Sequence, residues 1–336
     1  MKKELERIPM CNPFVLSKVE ISRNLSDYFF VNKLEVEEAR SIAKKIEKAV
    51  KEMEVDGYFH SLSSMGGVEQ KLWQEKGIID NAMEKNWRIS SVLHNQGLTL
   101  KINGKDHLTI ETLEEGLKIR QAFEKAYEIE DQMDHKLDFA FDPKYGYLQT
   151  NPSRAGTGLK LSCFLHLKAF RIKKVLKKFR DSMLRLGYHM EPLWGDDRLD
   201  IYEISYEKGY LETEEESLEK FEATIDRIFK NERDLRRDEY KNYPEKSKDR
   251  YFRALGIIRY GRIINEGEIF EAISNLLYGY SLGFHDLKES EILALIPICQ
   301  KYHLLEYKNK LHSSRPIEYL RGDRIRTHLK EVNNGD

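Results

Sequence analysis

Residues 146–167, GYLQTNPSRAGTGLKLSCFLHL, constrain the fold more than any other stretch of this sequence. Their pattern predicts a strand, a glycine-rich loop and a second strand, because apolar residues occupy every other position after the glycines. The apolar positions of the second strand are Leu159, Leu161, Cys163, Leu165 and Leu167, and the intervening positions are Lys160, Ser162, Phe164 and His166. One face of this strand should therefore lie against a core, with the loop at its end.

The loop itself, Gly156-Thr157-Gly158 followed by Lys160, admits two interpretations. Backbone amides beside glycines can approach a phosphate closely, and a lysine adds positive charge. The segment matches neither the GxxxxGK[ST] pattern of a P-loop nor the GxGxxG pattern of a dinucleotide-binding turn. Local sequence alone favours a plain glycine turn over a nucleotide-binding loop.

The charges of the whole chain nearly balance, with 56 lysines and arginines against 57 aspartates and glutamates. Such a chain has no overall field to attract nucleic acid or an anionic membrane, so we expect neither partner. No apolar run approaches the roughly 20 residues that span a bilayer, and the first ten residues lack the apolar region of a secretory signal. Widely spaced Cys11, Cys163 and Cys299 predict neither a disulfide framework nor a zinc site, which is typical of a cytoplasmic protein.

Hydrophobic periodicity predicts an α+β protein. Alternating residues predict strands at 98–102, 107–110 and 201–206, the first two joined by an Asn103-Gly104 turn. Helical spacing predicts helices at 35–54, 71–86, 114–134, 169–186 and 213–237, the last with a capping box at Thr213 and Glu216.

The last third of the chain is predicted to be helical. In the charged stretch 233–250, Pro244 predicts either a bend or an exposed arm, and 251–330 shows only helical patterns. We therefore predict a mainly helical N-terminal part at 1–90, an α+β domain at 91–245 and a helical C-terminal domain at 246–336.

Two groups of polar residues are further candidates for a site. Asp106 and His107 would form an acid/base pair if the carboxylate oriented the imidazole, although a histidine at a strand end is more often structural. Asp196, Asp197 and Asp200 would suit magnesium, although an acidic loop is more often only solvated.

Five segments, in the same order along the chain, resemble the ATP:guanido phosphotransferases, and most closely the bacterial protein-arginine kinase branch. They are SKVEISRNL (17–25), INGKDHLTI (102–110), LDFAFDPKYGYLQTNPSRAGTGLKLSCFLHL (137–167), LWGDDRLDIYEIS (193–205) and DRYFRALGIIRYGRIIN (249–265). The resemblance covers nearly the whole chain, from about residue 14 to 330. It implies an antiparallel sheet flanked by helices, a small helical N-terminal part and a C-terminal helical domain.

The resemblance also implies which residues would lie near a nucleotide. They are Lys18, Glu20, Thr109, Arg154, Gly156, Thr157, Gly158 and Lys160. At Lys18, Glu20, Thr109 and Lys160 the family has arginines, and a further family arginine falls near Glu191. Lysine keeps the charge but not the bidentate geometry of arginine, and glutamate repels phosphate.

On the substrate side the family's chemistry is altered as well. The glutamate that orients and deprotonates the guanidinium in the family aligns with Lys105, beside Asp106 and His107. The family's active-site cysteine aligns with Asn151. The second family carboxylate aligns with Leu199, one residue before Asp200.

The rate contributions of the altered groups favour loss of kinase activity. A positioned arginine contributes about 10³–10⁵ in rate and a general base about 10²–10⁴. We therefore expect a cytoplasmic pseudokinase that acts as a regulatory or binding protein and needs no cofactor. The alternative is an active kinase that uses Mg-ATP on a guanidino or other protein substrate, with Lys18, Lys105, Arg154 and Lys160 as its cations and Asp106 and His107 as acid/base groups.

The family resemblance also implies partners in protein quality control. These are a zinc-binding activator protein, a Clp-type ATPase or an active kinase relative, and a homo-oligomer is also expected. A phosphoarginine-type pocket would include Glu318 and Arg321, where the family's RDxxR pattern has lost its first arginine. Arg321, Arg324 and Arg326 would then contact a phosphorylated partner, unless they are only an exposed basic helix end.

Overall fold

A computed structural model describes residues 15–95, 97–207 and 212–333. In these residues the main sheet has eight strands in the order β2-β3-β4-β5-β1-β8-β10-β9, with every neighbouring pair antiparallel. A separate two-stranded hairpin contains β6 and β7. The strands are β1 (Val15–Arg23), β2 (His60–Ser61), β3 (Ser91–Asn95), β4 (Leu98–Ile102), β5 (Leu108–Glu115), β6 (Phe141–Asp142), β7 (Gly146–Tyr147), β8 (Leu159–His166), β9 (Tyr188–Pro192) and β10 (Ile201–Glu207).

Helices surround this sheet and make up the end of the chain. They are α1 (Val36–Glu52), α2 (Gly67–Glu75), α3 (Asn81–Lys85), α4 (Ile119–Asp134), α5 (Lys168–Ile172), α6 (Leu176–Arg185), α7 (Glu214–Asn242), α8 (Pro244–Tyr260), α9 (Glu266–Ser281), α10 (Glu289–Ile298), α11 (Lys301–Lys310) and α12 (Ile317–Asn333). The α+β class is confirmed. In the described ranges, no helix is both long enough and apolar enough to cross a membrane.

The two central strands explain how the sheet acquires two different faces. Successive side chains of a strand point to opposite faces, and the apolar residues of β1 and β8 fall at alternate positions. Val19, Ile21, Leu161 and Leu165 are almost completely buried in one core with the apolar sides of α1, α4 and α7. The intervening residues are mostly polar and lie together on the opposite face, which the helices of this core do not cover.

Several sequence predictions are confirmed. β4 and β5 pair as a hairpin, and Asn103 between them has the positive φ of 52° that its turn requires. α7 begins with the predicted capping box of Thr213 and Glu216. The chain bends at Pro244, the first residue of α8, so the charged stretch forms two packed helices and not an exposed arm.

Other predicted elements differ in extent. The strand before the glycine loop has only two residues and pairs with β6 outside the main sheet. The predicted helix at 169–186 breaks into α5 and α6, because Lys174 takes a left-handed φ of 58°. Residues 114–115 end β5, so the helix predicted from 114 begins at Ile119. The helix predicted at 71–86 is divided into α2 and α3. The domain boundaries remain predictions.

The glycine loop is held against β1 by a buried arginine that sequence patterns did not single out. Arg23 donates hydrogen bonds from Nη1 to the carbonyl of Thr157 (2.9 Å) and from Nε to Glu130 Oε1 on α4 (2.7 Å). Its guanidinium also lies 3.4 Å from the centre of the Tyr147 ring. One side chain therefore joins β1, α4, β7 and the loop.

Gly158 is required at its place in this loop for two reasons. Its φ is +65°, which favours glycine, and a Cβ there would lie 2.6 Å from the carbonyl oxygen of Ser22 and 2.7 Å from Arg23 Nη1. The loop is also pinned by a hydrogen bond from the Ser22 amide to the Gly158 carbonyl (2.9 Å).

The last residue of β8 belongs to a buried polar network that joins the sheet to the C-terminal helices. Arg236 Nη2 donates to His166 Nδ1 (3.0 Å), which leaves the proton on Nε2 to be donated to Ser274 Oγ (3.0 Å). Ser274 Oγ in turn donates to Asp200 Oδ2 (2.5 Å), and Arg236 Nη1 donates to Ser281 Oγ (2.7 Å). These side chains are at most 1% exposed, so each depends on its partner.

We predict that Gly158→Ala destabilises the protein by about 2 to 4 kcal/mol, because the methyl group meets backbone in a left-handed conformation. Urea unfolding measures the change. Gly256→Ala in α8 is the matched control, since its Cβ would meet nothing within 4 Å; it should be neutral or slightly stabilising. Equal effects of the two substitutions would contradict the account of the loop.

We also predict that His166 makes the protein less stable below about pH 6.5. Burial, together with the charges of Arg236 and Lys168, holds the pKa of His166 well below its usual value. As the pH falls below 6.5, the unfolded chain binds a proton that the folded chain does not, so the free energy of unfolding decreases. Urea unfolding between pH 5 and 7 should show a flatter pH dependence for His166→Gln than for the unchanged chain. The same slope in both would refute the prediction.

Candidate functional site

The polar side of the sheet carries a set of charged side chains from five adjacent strands, which we call the charged face. It is built by β4, β5, β1, β8 and β10 with the loops beside them. Its members are Lys18, Glu20, Asp80, Lys101, Lys105, Glu111, Lys160 and Glu203. The structure thus brings together the predicted residues Lys18, Glu20, Lys105 and Lys160.

Two lysines and two glutamates at the centre of the charged face form a closed ring of ion pairs. Glu20 Oε1 lies 2.9 Å from Lys18 Nζ and 3.8 Å from Lys160 Nζ. Glu203 Oε1 lies 3.5 Å from Lys18 Nζ and 3.0 Å from Lys160 Nζ. Each of these two carboxylate oxygens therefore bridges the same two ammonium groups.

The remaining lysines of the charged face are paired in the same way. Lys101 Nζ lies 2.9 Å from Glu111 Oε2 and 3.9 Å from Asp80 Oδ2. Lys105 Nζ lies 3.8 Å from Glu20 Oε2 and 3.9 Å from Asp80 Oδ2. The four lysines of the charged face thus meet four carboxylates, and the set carries no net formal charge.

The ion pairs keep Lys18 and Glu20 ionised although both side chains are largely removed from water. Burial opposes the charge of Glu20, but Lys160 and Lys18 outweigh it and hold the pKa of Glu20 well below its usual range. Burial likewise opposes the charge of Lys18, but Glu20, Glu111 and Glu203 raise the pKa of Lys18 well above its usual range. The lysines are therefore cations whose charge is already balanced within the protein.

Asp106 and His107 are adjacent in sequence, but their side chains have different structural partners. Asp106 Oδ1 accepts hydrogen bonds from Asn24 Nδ2 (2.8 Å) and from the Thr150 amide (2.7 Å). His107 Nδ1 accepts from the Leu25 amide (3.0 Å), and Nε2 then donates to the Phe29 carbonyl (2.8 Å). Burial lowers the pKa of His107. The two residues fasten loops to the sheet, and the structural interpretation is the one that their geometry supports.

Other predicted residues lie around the charged face without joining its ion pairs. Arg154 pairs with Glu207. Thr109 Oγ1 lies 3.4 Å from Ser22 Oγ, and Asn151 is exposed, with its carbonyl accepting from the Arg154 amide at 2.9 Å. Cys163 supplies no replacement for the family cysteine, because it faces the core and burial raises its pKa to about 12.

The predicted acidic cluster does not form one site. Asp196 pairs with Arg198, while Asp200 is fully buried and pairs with Lys168 Nζ at 3.0 Å. Leu199 lies in the core of the C-terminal helices. Within the described residues, no three histidines, cysteines, aspartates or glutamates are grouped so that they could hold a metal ion. Glu191, at the position of a further family arginine, pairs with Arg180 at 2.9 Å.

The predicted phosphoarginine-type pocket is altered by the packing of Arg321, which is only 3% exposed. Its Nε donates to the carbonyl of Cys299 and its Nη1 to that of Ile264, both at 2.8 Å. Arg326 donates to the Gly261 carbonyl and pairs with Asp323. Their guanidinium groups therefore hold C-terminal loops and helices together.

Arg324 and Glu318, also predicted for this pocket, are less enclosed. Arg324 Nη1 lies 3.4 Å from Glu331 Oε2, and the Glu318 side chain is exposed. Arg321, the third residue predicted for this pocket, is directed instead to the carbonyls of Cys299 and Ile264.

The charged face does not fit Mg-ATP. A nucleotide needs cations that are free to meet its phosphates, whereas Lys18 and Lys160 already share Glu20 and Glu203.

Comparison with protein-family models gives two matches. Residues 41–235 match the ATP:guanido phosphotransferase, C-terminal catalytic domain, and residues 244–336 match the Protein-arginine kinase McsB C-terminal domain. A protein-arginine kinase from Staphylococcus saprophyticus is 31% identical over 71% of this chain and 72% of its own length. A protein-arginine kinase from an Exiguobacterium species is 27% identical over 98% of this chain and 96% of its own.

Solved structures share the fold at low sequence identity. Lombricine kinase is similar with a TM-score of 0.57 and 18% identity, over 69% of this chain and 70% of that one. The duplicated taurocyamine kinase of Schistosoma mansoni is similar with a TM-score of 0.58 and 16% identity, and the match spans 68% of this chain but only 35% of the duplicated one. The order of the elements, the glycine loop on β8 and the family-model matches together show that the chain belongs to the ATP:guanido phosphotransferase family.

Proposed function

We propose that this chain is a pseudokinase of its family and acts by binding other proteins and not by phosphoryl transfer. The observation that carries the proposal is at Lys105, where the family has the glutamate that receives the guanidinium. Lys105 is about one-third exposed and pairs with Glu20 and Asp80. A cation at this position repels an incoming guanidinium, because like charges at close range cost free energy.

Among the described residues, the groups beside Lys105 already have partners, and the two nearby carboxylates, Glu20 and Asp80, pair with lysines of the charged face. Asp106 accepts hydrogen bonds from Asn24 and Thr150, and both ring nitrogens of His107 are bonded to backbone. A general base must reach the proton that it removes, and these two side chains are directed to structural partners instead. Loss of the base alone costs roughly 10² to 10⁴ in rate.

The relatives' name, protein-arginine kinase, supports a competing hypothesis, in which this chain also phosphorylates arginine with Mg-ATP. That hypothesis requires the cations of the charged face to exchange their carboxylates for phosphates. The net-neutral set of eight groups argues against it, since a phosphate would meet Glu20 and Glu203 as well as the lysines.

The role that we propose in place of catalysis is a cytoplasmic one in protein quality control. The family resemblance supports three protein partners: a zinc-binding activator protein, a Clp-type ATPase or an active kinase relative. It also supports self-association of the chain. Co-purification from the native cell, followed by mass spectrometry, identifies which of these partners binds the chain.

We predict that the purified chain transfers no phosphate from Mg-ATP to arginine residues of a protein such as casein. Phosphoarginine is measured by mass spectrometry and by ³¹P NMR, with the Staphylococcus saprophyticus relative as the parallel sample. We also expect Mg-ATP to leave the melting temperature unchanged, whereas a ligand at 100 times its Kd would add about 2.7 kcal/mol of stability. Phosphoarginine formation that Lys160→Met abolishes would overturn the proposal and establish the competing one.

A further inference from the structure

The central ring of the charged face has the geometry of a bound anion. Glu20 Oε1 and Glu203 Oε1 each lie within 4 Å of both Lys18 Nζ and Lys160 Nζ, at distances of 2.9, 3.8, 3.5 and 3.0 Å. Two lysines would hold two oxygens of a phosphate chain in the same way, with each oxygen bridging both ammonium groups. The carboxylates occupy the positions that such oxygens would take.

Strand pairing accounts for these carboxylates only in part, because Glu20 lies directly opposite Lys160 on β8 whereas Glu203 lies opposite Phe164 there. Glu20 lies directly opposite Glu111 on β5, and Glu203 lies directly opposite Glu191 on β9. Like charges opposite each other on neighbouring strands are destabilising. The lysines of the ring offset this cost for Glu20 and Glu203, so the acids and the lysines function as one set.

A buried hydroxyl beside the ring still lacks a partner. Ser162 lies on the charged face of β8, opposite Lys18 on β1 and Ser205 on β10. It is fully buried, and its Oγ has no hydrogen-bond partner among the described residues. A free donor next to two lysines is a further group suited to an anion, and the two glutamates leave it unused.

We infer that Glu20 and Glu203 are built-in anions that determine the specificity of this face, closing a polyphosphate site that Lys18, Lys160 and Ser162 would otherwise form. The inference rests on the proposed function, because it explains how the chain excludes nucleotides. It also implies that the lysines retain the ability to bind phosphate and are blocked only by two side chains. Neutralising those side chains uncovers the cations and opens the face to polyphosphate.

The test compares tripolyphosphate binding, without magnesium, to the unchanged chain and to a Glu20→Gln/Glu203→Gln double variant. Glutamine keeps the size of glutamate and removes its charge. We expect the double variant to bind tripolyphosphate at least roughly tenfold more tightly than the unchanged chain, whose binding should be too weak to saturate, since two repelling charges are lost at short range. Isothermal titration calorimetry measures the affinity. If the site is ionic, 0.5 M salt should abolish binding by the double variant, because the Debye length at that salt concentration is only roughly 4 Å.

The matched control is Glu37→Gln/Glu245→Gln, which changes the net charge equally but neutralises exposed carboxylates outside the charged face. It should bind no better than the unchanged chain. Adding Lys160→Gln to the ring variant should abolish the gained affinity. If the ring variant binds no tighter than the control, the inference is wrong. If the double variant does not fold, as judged by circular dichroism, the single variant Glu203→Gln carries the same comparison, because Glu203 is the more exposed of the two acids.

The two proposals fail in different ways. Polyphosphate or Mg-ATP binding to the unchanged chain would contradict the closed face and remove support for the pseudokinase. If the unchanged chain binds neither ligand and the ring variant also gains no affinity, the pseudokinase proposal still holds, but the role given to Glu20 and Glu203 is refuted.

Discussion

The pairing of buried charges on one face of the sheet is the constraint on which this structure depends. A lysine with little access to water is tolerated only beside an opposite charge, and removing one partner of a buried pair is strongly destabilising. Lys18 and Lys160, on the two central strands, meet this condition through Glu20 and Glu203. Because these strands also carry the apolar core on their other face, the same two strands position both the core and the ion pairs.

The chain shares the fold of its family, whereas the loss of chemistry that we propose rests on individual side chains. Gly158 remains where a side chain would strike β1, and the loop still rests on Arg23. By resemblance in sequence, Lys105 and Asn151 fall where the family has a carboxylate and a thiol, and our proposal of lost chemistry depends on them. The similar TM-scores to lombricine and taurocyamine kinases describe the retained backbone and say nothing of chemistry.

Sequence patterns were sufficient where a feature is local. The alternation of β8, the hairpin at Asn103 and the capping box at Thr213 each depend on residues that are neighbours in the chain. The ion pairs of Lys101 with Glu111 and of Lys160 with Glu203 depend on the order of strands, which no local pattern supplies. The break at Lys174, within the helix predicted at 169–186, was not predicted, because no local pattern marks a lysine that takes a left-handed φ.

The junction of His166, Arg236 and the C-terminal helices has a consequence for the boundary between the two family-model matches. A chain shortened to end with α7 would retain Arg236 and Asp200 but would lack Ser274 and Ser281, which bond to them. It would also expose Leu199 and Ile201, which pack into the core of the C-terminal helices. Cutting the chain between the two family-model matches would therefore leave buried polar and apolar groups of the first part without the partners that the C-terminal helices provide.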